Sequence, residues 1–201
     1  METKDVKNER NNNENPAPSK EEKSGFTAKK LALIAAFCAL AYGISFVEFP
    51  IFPAAPFLKL DFSFAVMLIA AYMLGALSGE IIVIVFTLLK LPFSQTGMIG
   101  EAATFIMAQF FVVLPALVYG FKRRFSVVVI SLCSSAVIIS ALSLLVNRYF
   151  LFPFYMQDGA ASFFADVWYF VLLFNVIKCA ANAVITVLLY KRLKKILHKF
   201  L

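Results

Sequence analysis

The chain has 201 residues, 61% of them hydrophobic and 15% charged, with a mean hydropathy of +0.82; an average soluble domain carries about 25% charged residues, so a water-soluble globular enzyme is all but excluded. The formal net charge of +7 is unevenly spread: residues 1–25 hold 5 Lys/Arg against 6 Asp/Glu, and the rest of the chain holds 14 against 6. That distribution points to a membrane protein with basic edges, not to a nucleic-acid binder.

Residues 1–25 contain one Val and no aromatic residue among runs of Asn, Glu and Lys. Such a segment cannot bury enough apolar surface to offset its ordering entropy and is expected to be a disordered cytoplasmic tail. From Phe26 onward long apolar runs alternate with short polar breaks, predicting an all-α membrane domain over residues 26–190 with six spans. The first span is Ala28 to Val47, entered through Lys29 and Lys30. Ala39-Leu40-Ala41 has the small-x-small form of a signal cleavage site, but the leader before it is too long and the apolar run continues past it. A loop from Phe49 to Leu60 carries three Pro and three Phe, stiff and apolar enough to cover a cavity or to lie in the membrane interface.

The second span, Asp61 to Leu77, is expected to break at Ser78-Gly79 before the third, Glu80 to Leu91, which is the weakest at about 18 Å of helix. After Pro92 to Gly97 the fourth runs from Ile99 to Tyr119 with Pro115 inside it and closes at Lys122-Arg123-Arg124. The fifth is Phe125 to Val146. A long connection, Asn147 to Ala165, leads to the sixth, Asp166 to Tyr190, and a basic cytoplasmic tail, residues 191–201, ends the chain. That tail sets Leu193, Ile196, Leu197, Phe200 and Leu201 on one helical face and its basic residues on the other, a pattern suited either to an amphipathic helix on the inner leaflet or to a frayed basic end.

With the N-terminus inside, ten basic residues flank the inner span ends (Lys29, Lys30, Lys122, Arg123, Arg124, Lys191, Arg192, Lys194, Lys195, Lys199), against Lys59, Lys90 and Arg148 outside. This asymmetry predicts both termini in the cytoplasm. Cys38, Cys133 and Cys179 each lie inside an apolar run without metal or redox spacing, and His198 stands alone. There is no G-x-x-x-x-G-K-[ST], H-E-x-x-H or G-x-S-x-G, so no metal, catalytic residue or cofactor is expected, and any uphill transport must draw energy from a partner.

Lys178 is the polar residue that most needs explaining. It lies midway along the sixth span, where a lysine costs about 2.5–3.5 kcal/mol and normally faces a cavity or a partner. Asn175, Lys178 and Asn182 share one helical face, and Thr186 extends the stripe. Asn182 reads as a clamp to a neighbouring helix, whereas Asn175 with Lys178 reads as a ligand site. The candidate counter-charges are Glu101, Asp61 and Glu48, all near outer span ends. Glu101 follows Thr96-Gly97-Met98-Ile99-Gly100, whose glycines admit close backbone approach to a ligand; a turn and helix start explain the block equally well. Asn147 closes the fifth span, where an ordinary helix C-cap is the plain alternative. The first span also carries Ala32-x-x-x-Ala36 and Ala35-x-x-x-Ala39, a flat face for close helix packing that also arises by chance in Ala-rich spans.

Three blocks carry a family resemblance: Pro56-Phe57-Leu58-Lys59-Leu60-Asp61-Phe62-Ser63, Thr96-Gly97-Met98-Ile99-Gly100-Glu101, and Phe174-Asn175-Val176-Ile177-Lys178. Together with the six-span layout they resemble, over about residues 28–195, the riboflavin-specific substrate-binding (S) components of energy-coupling factor (ECF) transporters. The family pattern often has Asn where Thr104 stands here, and a Ser-Asp pair in place of Ser63-Phe64. The resemblance implies a high-affinity vitamin-binding subunit of a bacterial plasma membrane, with riboflavin, and FMN as its near analogue, as ligand. Asn147, Asn175 and Lys178 would bond the flavin ring edge, with Thr96, Gly97, Met98, Glu101, Phe57 and Leu58 completing an outward-facing pocket. Ala32, Ala35, Ala36 and Ala39 would dock on a transmembrane coupling (T) subunit driven by two cytoplasmic ATPase subunits, and import would involve tilting of the S component in the bilayer. The chemistry agrees: the flavin dione edge alternates acceptors with an N–H donor, which an Asn amide and a Lys ammonium can match. An S component for thiamine or a folate, and a membrane scaffold whose polar stripe only packs helices, are the competing readings.

Overall fold

The computed structural model describes residues 27–94 and 97–197. The N-terminal tail, Thr96, His198, Phe200 and Leu201 therefore lie outside the described residues. Helix α2 (Ser63–Leu74) is apolar on every side, with eleven of its twelve residues buried. A helix of that kind is stable only when enclosed, and α2 is surrounded by α1 (Ala28–Ser45), α3 (Ala76–Lys90), α5 (Leu114–Phe121) and α8 (Ala160–Leu197). The outer helices instead leave large apolar side chains exposed, among them Leu88, Ile130, Val137 and Leu188, which suits a lipid surround. Among the described residues five helical stretches are long and apolar enough to cross a membrane: 28–45, 76–93, 97–121, 125–156 and 160–190; α2 is a shorter apolar helix.

The shortest of the expected spans is thus the second, not the third, and the break falls at Gly75 instead of Ser78-Gly79. Gly75 adopts φ 96°, a conformation that side chains disfavour, and ends α2. Gly79 lies inside α3, where it lets the two helices close: a Cβ there would meet the Ala71 Cβ at 2.5 Å. Gly79→Ala is therefore expected to cost about 1–3 kcal/mol through overpacking, read as a lowered thermal midpoint in detergent. An unchanged midpoint would show that the α2–α3 contact gives way freely.

The fourth and fifth spans each contain a π turn followed by a proline. Helix α4 (Gly97–Ala108) passes through a π turn at Gln109–Val113 into α5, and α6 (Phe125–Val146) passes through another at Asn147–Leu151 into α7 (Phe152–Met156). Pro115 and Pro153 stand at the same offset beyond these turns, in the first turn of the helix that follows. A proline cannot donate to the carbonyl four residues back and its ring crowds it, so a widened turn upstream absorbs the misfit. Asn147–Ala165, expected as a connection, is for this reason helical as far as Met156. It turns at Gln157 (φ 47°) and Gly159 (φ 102°), and α8 then starts six residues earlier than Asp166 and continues without a break through Leu197. Among the described residues the exception to the helical architecture is a minimal antiparallel pair in the first loop, β1 (Phe49–Pro50) with β2 (Lys59–Leu60), in the register Phe49↔Leu60 and Pro50↔Lys59.

Candidate functional site

The midspan lysine has its carboxylate. Lys178 Nζ donates to Asp61 Oδ2 at 2.8 Å, with both side chains largely buried. Of the three candidate counter-charges it is Asp61 that serves; Glu48 pairs with Lys59 at 2.8 Å within the first loop. Asp61 follows β2 directly, just before the first turn of α2. Its other oxygen, Oδ1, accepts from the Ser63 backbone N–H at 3.0 Å and from the Ser63 hydroxyl. The positive end of the α2 dipole adds to the attraction for this carboxylate. Lys178 Nζ also lies 5.0 Å from the centre of the Phe64 ring and 5.9 Å from that of Phe174, both within cation–π range. Removing this ion pair's solvent is expensive, and the bonds on both partners are what offset that cost.

Asn182, one helical turn further along α8, has no exposed surface. Its amide oxygen accepts from the Ala65 N–H at 2.8 Å, and its Nδ2 donates to the Asp61 carbonyl at 3.1 Å and to the Lys178 carbonyl at 2.9 Å. Asn182 thus clamps α8 to the start of α2, holding the backbone that carries Asp61. Thr186 donates back to the Asn182 carbonyl at 2.7 Å and completes the stripe.

An aromatic cap lies over the N-terminal half of α8. Ala55, Leu58 and Leu60 of the first loop are buried against Phe152, Phe164, Val167, Val171 and Phe174. Phe57 meets Phe152 edge-on at 5.8 Å and Phe163 at 6.2 Å, Phe152 meets Phe163 at 5.2 Å, and Phe52 meets Phe170 at 5.3 Å. Proline-limited loop geometry and large rings together make a stiff apolar lid beside the Lys178–Asp61 pair.

Asn175 shares the Lys178 face of α8 and donates to the Val171 carbonyl at 2.8 Å, which leaves its amide oxygen as an acceptor. Asn147 is buried and donates to the Ser143 carbonyl at 2.8 Å; it does not end its helix but opens a π turn that packs on α8. Glu101 is buried in α4, which packs on α6 and on that same π turn, and its Oε2 has no hydrogen-bond partner among the described residues. Gly97, with φ 61°, starts α4, whereas Met98 is 75% exposed and stands away from the buried cluster. Thr104 bonds within its own helix to the Gly100 carbonyl at 3.0 Å. Ala32, Ala35, Ala36 and Ala39 all lie on the exposed side of α1, the opposite side packing through Ile34, Cys38 and Ala41.

Sequence reasoning missed the contribution of Phe152, Phe163 and Phe164, because the stretch that holds them was read as a connection. The signal was present in Asn147-x5-Pro153, which repeats the Gln109-x5-Pro115 spacing of a segment correctly read as helical. It also missed Gln109 to Glu80, a hydrogen bond of 3.2 Å that ties the first π turn to α3.

The chain matches the family described as "ECF transporter, substrate-specific component" over residues 29–190. It is 28% identical over 176 residues to a "Riboflavin transporter RibU" of Staphylococcus aureus (strain TCH60), covering 85% of this chain and 93% of that one. A "Riboflavin transporter RibU" of Leuconostoc mesenteroides is 25% identical over 185 residues, covering 86% and 94%. Among solved structures, one described as "Structure and mechanism of the S component of a bacterial ECF transporter" superimposes with a TM-score of 0.73 at 28% identity, covering 84% of this chain and 97% of that chain.

Proposed function

The chain belongs to the substrate-specific components of ECF transporters, and on that footing we propose that it is a riboflavin-binding membrane subunit that takes up the vitamin together with an ATP-driven energy-coupling module. It is a multi-pass bacterial membrane protein, and the curated relatives it matches are transporters. The observation that carries the ligand reading is Lys178, a midspan ammonium held by Asp61 beside an aromatic lid. A lysine has three donors, and Asp61 takes one of them, so the ammonium can bond a flavin carbonyl or ring nitrogen without abandoning its counter-charge. The uncommitted Asn175 oxygen supplies an acceptor for the ring N–H, and Asn147 adds a second amide from the π turn that packs on α8.

In this reading Phe57 and Leu58 cover the isoalloxazine ring. Thr96, Gly97, Met98 and Glu101 meet the ribityl chain, where the bondless Glu101 Oε2 is an acceptor for a hydroxyl. The membrane domain, residues 26–190, has six spans, counting the short α2, with both termini and the basic tail on the cytoplasmic side; the basic residue asymmetry supports that orientation. The exposed alanines of α1 form the face that docks on the coupling subunit, which two ATPase subunits drive.

Titrating riboflavin into purified protein in detergent is expected to quench flavin fluorescence in a saturable manner, with thiamine and folate failing to compete. Absence of quenching at micromolar riboflavin would overturn the ligand reading.

A further inference from the structure

At the end of the bundle opposite the Lys178–Asp61 pair, a cleft of about 630 Å³ opens between the last turn of α2, the Gly75 break, α5 and Tyr190 of α8. Its walls are apolar, including Leu74, Ala116, Leu117 and Phe121, and Phe121 at the mouth is 88% exposed. The polar groups among its lining are three tyrosines and one guanidinium. Tyr72, Tyr119 and Tyr190 pack edge to face with ring centres 5.1–6.1 Å apart, and the hydroxyls of Tyr119 and Tyr190 bond each other. Tyr72 is only 7% exposed, and its hydroxyl has no hydrogen-bond partner among the described residues. Ser131 stands within side-chain hydrogen-bonding reach of it, while donating its own proton to the Val128 carbonyl at 3.0 Å. Arg123 is the charged residue of the lining, flanked by exposed Lys122 and Arg124, and no carboxylate is among the lining residues.

We infer that this cleft is a binding site for one anionic phospholipid, the phosphate held by Arg123 at the mouth and an acyl chain lying along Leu117 and Phe121. Three features select a lipid over a soluble anion or a protein helix. The cleft is amphipathic along its length, apolar at the wall and cationic at the rim, which matches a single molecule with a charged head and a hydrocarbon tail. It opens where the basic break between α5 and α6 marks the edge of the membrane, the depth at which headgroups lie. Its polar depth offers a hydroxyl for the ester and glycerol oxygens of a lipid, for which a packed apolar helix has no use. The site lies away from the proposed riboflavin residues and does not depend on that reading.

The test is native mass spectrometry of the purified full chain after exchange into detergent with phosphatidylglycerol or phosphatidylcholine. Two variants probe the site. Gly120 lines the cleft and a Cβ there meets nothing within 4 Å, so Gly120→Leu should fill the space without a clash; Arg123→Gln removes the charge from an exposed position. Arg124→Gln is the control, and thermal melts in the same detergent check that each variant folds. The wild type and Arg124→Gln are expected to retain one phosphatidylglycerol in preference to phosphatidylcholine, and Arg123→Gln to retain it roughly tenfold less, the loss of one charge-assisted phosphate contact. Gly120→Leu should abolish retention. Equal retention of the two lipids by the wild type, or undiminished retention by Arg123→Gln, would overturn the proposal. So would undiminished lipid in a folded Gly120→Leu.

Discussion

Replacing either Lys178 by Met or Asp61 by Asn is expected to destabilise the protein by about 3–5 kcal/mol, whereas replacing both together should return most of that stability. The reason is the geometry of the pair. Each group is largely buried, and the 2.8 Å contact is the ion pair recorded for both. Lys178→Met leaves the Asp61 carboxylate with only its Ser63 bonds to offset a buried charge. Asp61→Asn keeps an oxygen for the Ser63 N–H but strands the ammonium between the Phe64 and Phe174 rings. The double variant buries no net charge and retains the shape. Thermal unfolding in one detergent separates these outcomes, and equal midpoints for the singles and the wild type would show the pair to be idle.

Flavin binding should not follow stability. If Lys178 bonds the flavin edge, the recovered double variant still lacks that charge-assisted bond, and its affinity should fall by about 2–3 kcal/mol. Full affinity in a stable double variant would leave Lys178 a structural residue and move the ligand elsewhere. The pair therefore distinguishes a residue that holds the helices together from one that also holds the vitamin.

Much of this arrangement was readable beforehand, for a definite physical reason. A charge in the middle of an apolar span is so costly that its position alone marks a site, and the i, i+3, i+7 spacing of Asn175, Lys178 and Asn182 fixes a shared face without any tertiary information. Local patterning could not say which carboxylate answers Lys178, because Asp61 is 117 residues away in sequence and meets it only through the packing of α2 on α8. The break expected at Ser78-Gly79 was misplaced for a related reason. Gly75 and Gly79 look alike in sequence, yet one supplies a backbone conformation and the other supplies the absence of a side chain, a distinction made by Ala71 on the neighbouring helix. The segment beyond Asn147 was read as a connection, yet it is helical as far as Met156. A π turn absorbs a proline without ending a helix, so the apolar character of Tyr149 to Tyr155 was the better guide.

The same physics assigns different roles along the α8 stripe. Lys178 ends in an ion pair, Asn182 bridges to backbone groups of α2, and Thr186 bonds only within its own helix. Moving along the helix, the polar contacts turn from ones that a ligand can share to ones already closed by the fold. The ligand reading is thus confined to the N-terminal half of α8, where Asn175 keeps an unused acceptor and the aromatic lid begins.

Asn182→Ala is expected to cost about 2–3 kcal/mol of stability, and Thr186→Val less than about 1 kcal/mol, although both side chains are wholly buried and lie one turn apart. Asn182 makes two bonds that cross between helices, to the Ala65 N–H and the Asp61 carbonyl. Its loss empties a packed position and leaves the Asp61 carbonyl without that donor, while the Ala65 N–H retains only a longer contact of 3.2 Å to the Phe62 carbonyl. Thr186 bonds the Asn182 carbonyl of its own helix, so Val preserves its volume and removes nothing that joins α8 to α2. The distinction extends to ligand binding. Asn182 does not touch the flavin in this scheme, yet it anchors the segment that sets Asp61 opposite Lys178, so its removal should weaken riboflavin binding about tenfold, and Thr186→Val should leave it unchanged. Thermal melts with parallel fluorescence titrations measure both quantities. If Asn182→Ala lost stability but bound riboflavin as tightly as the wild type, the clamp would be purely architectural, and the position of Asp61 would be set by the β1–β2 loop alone.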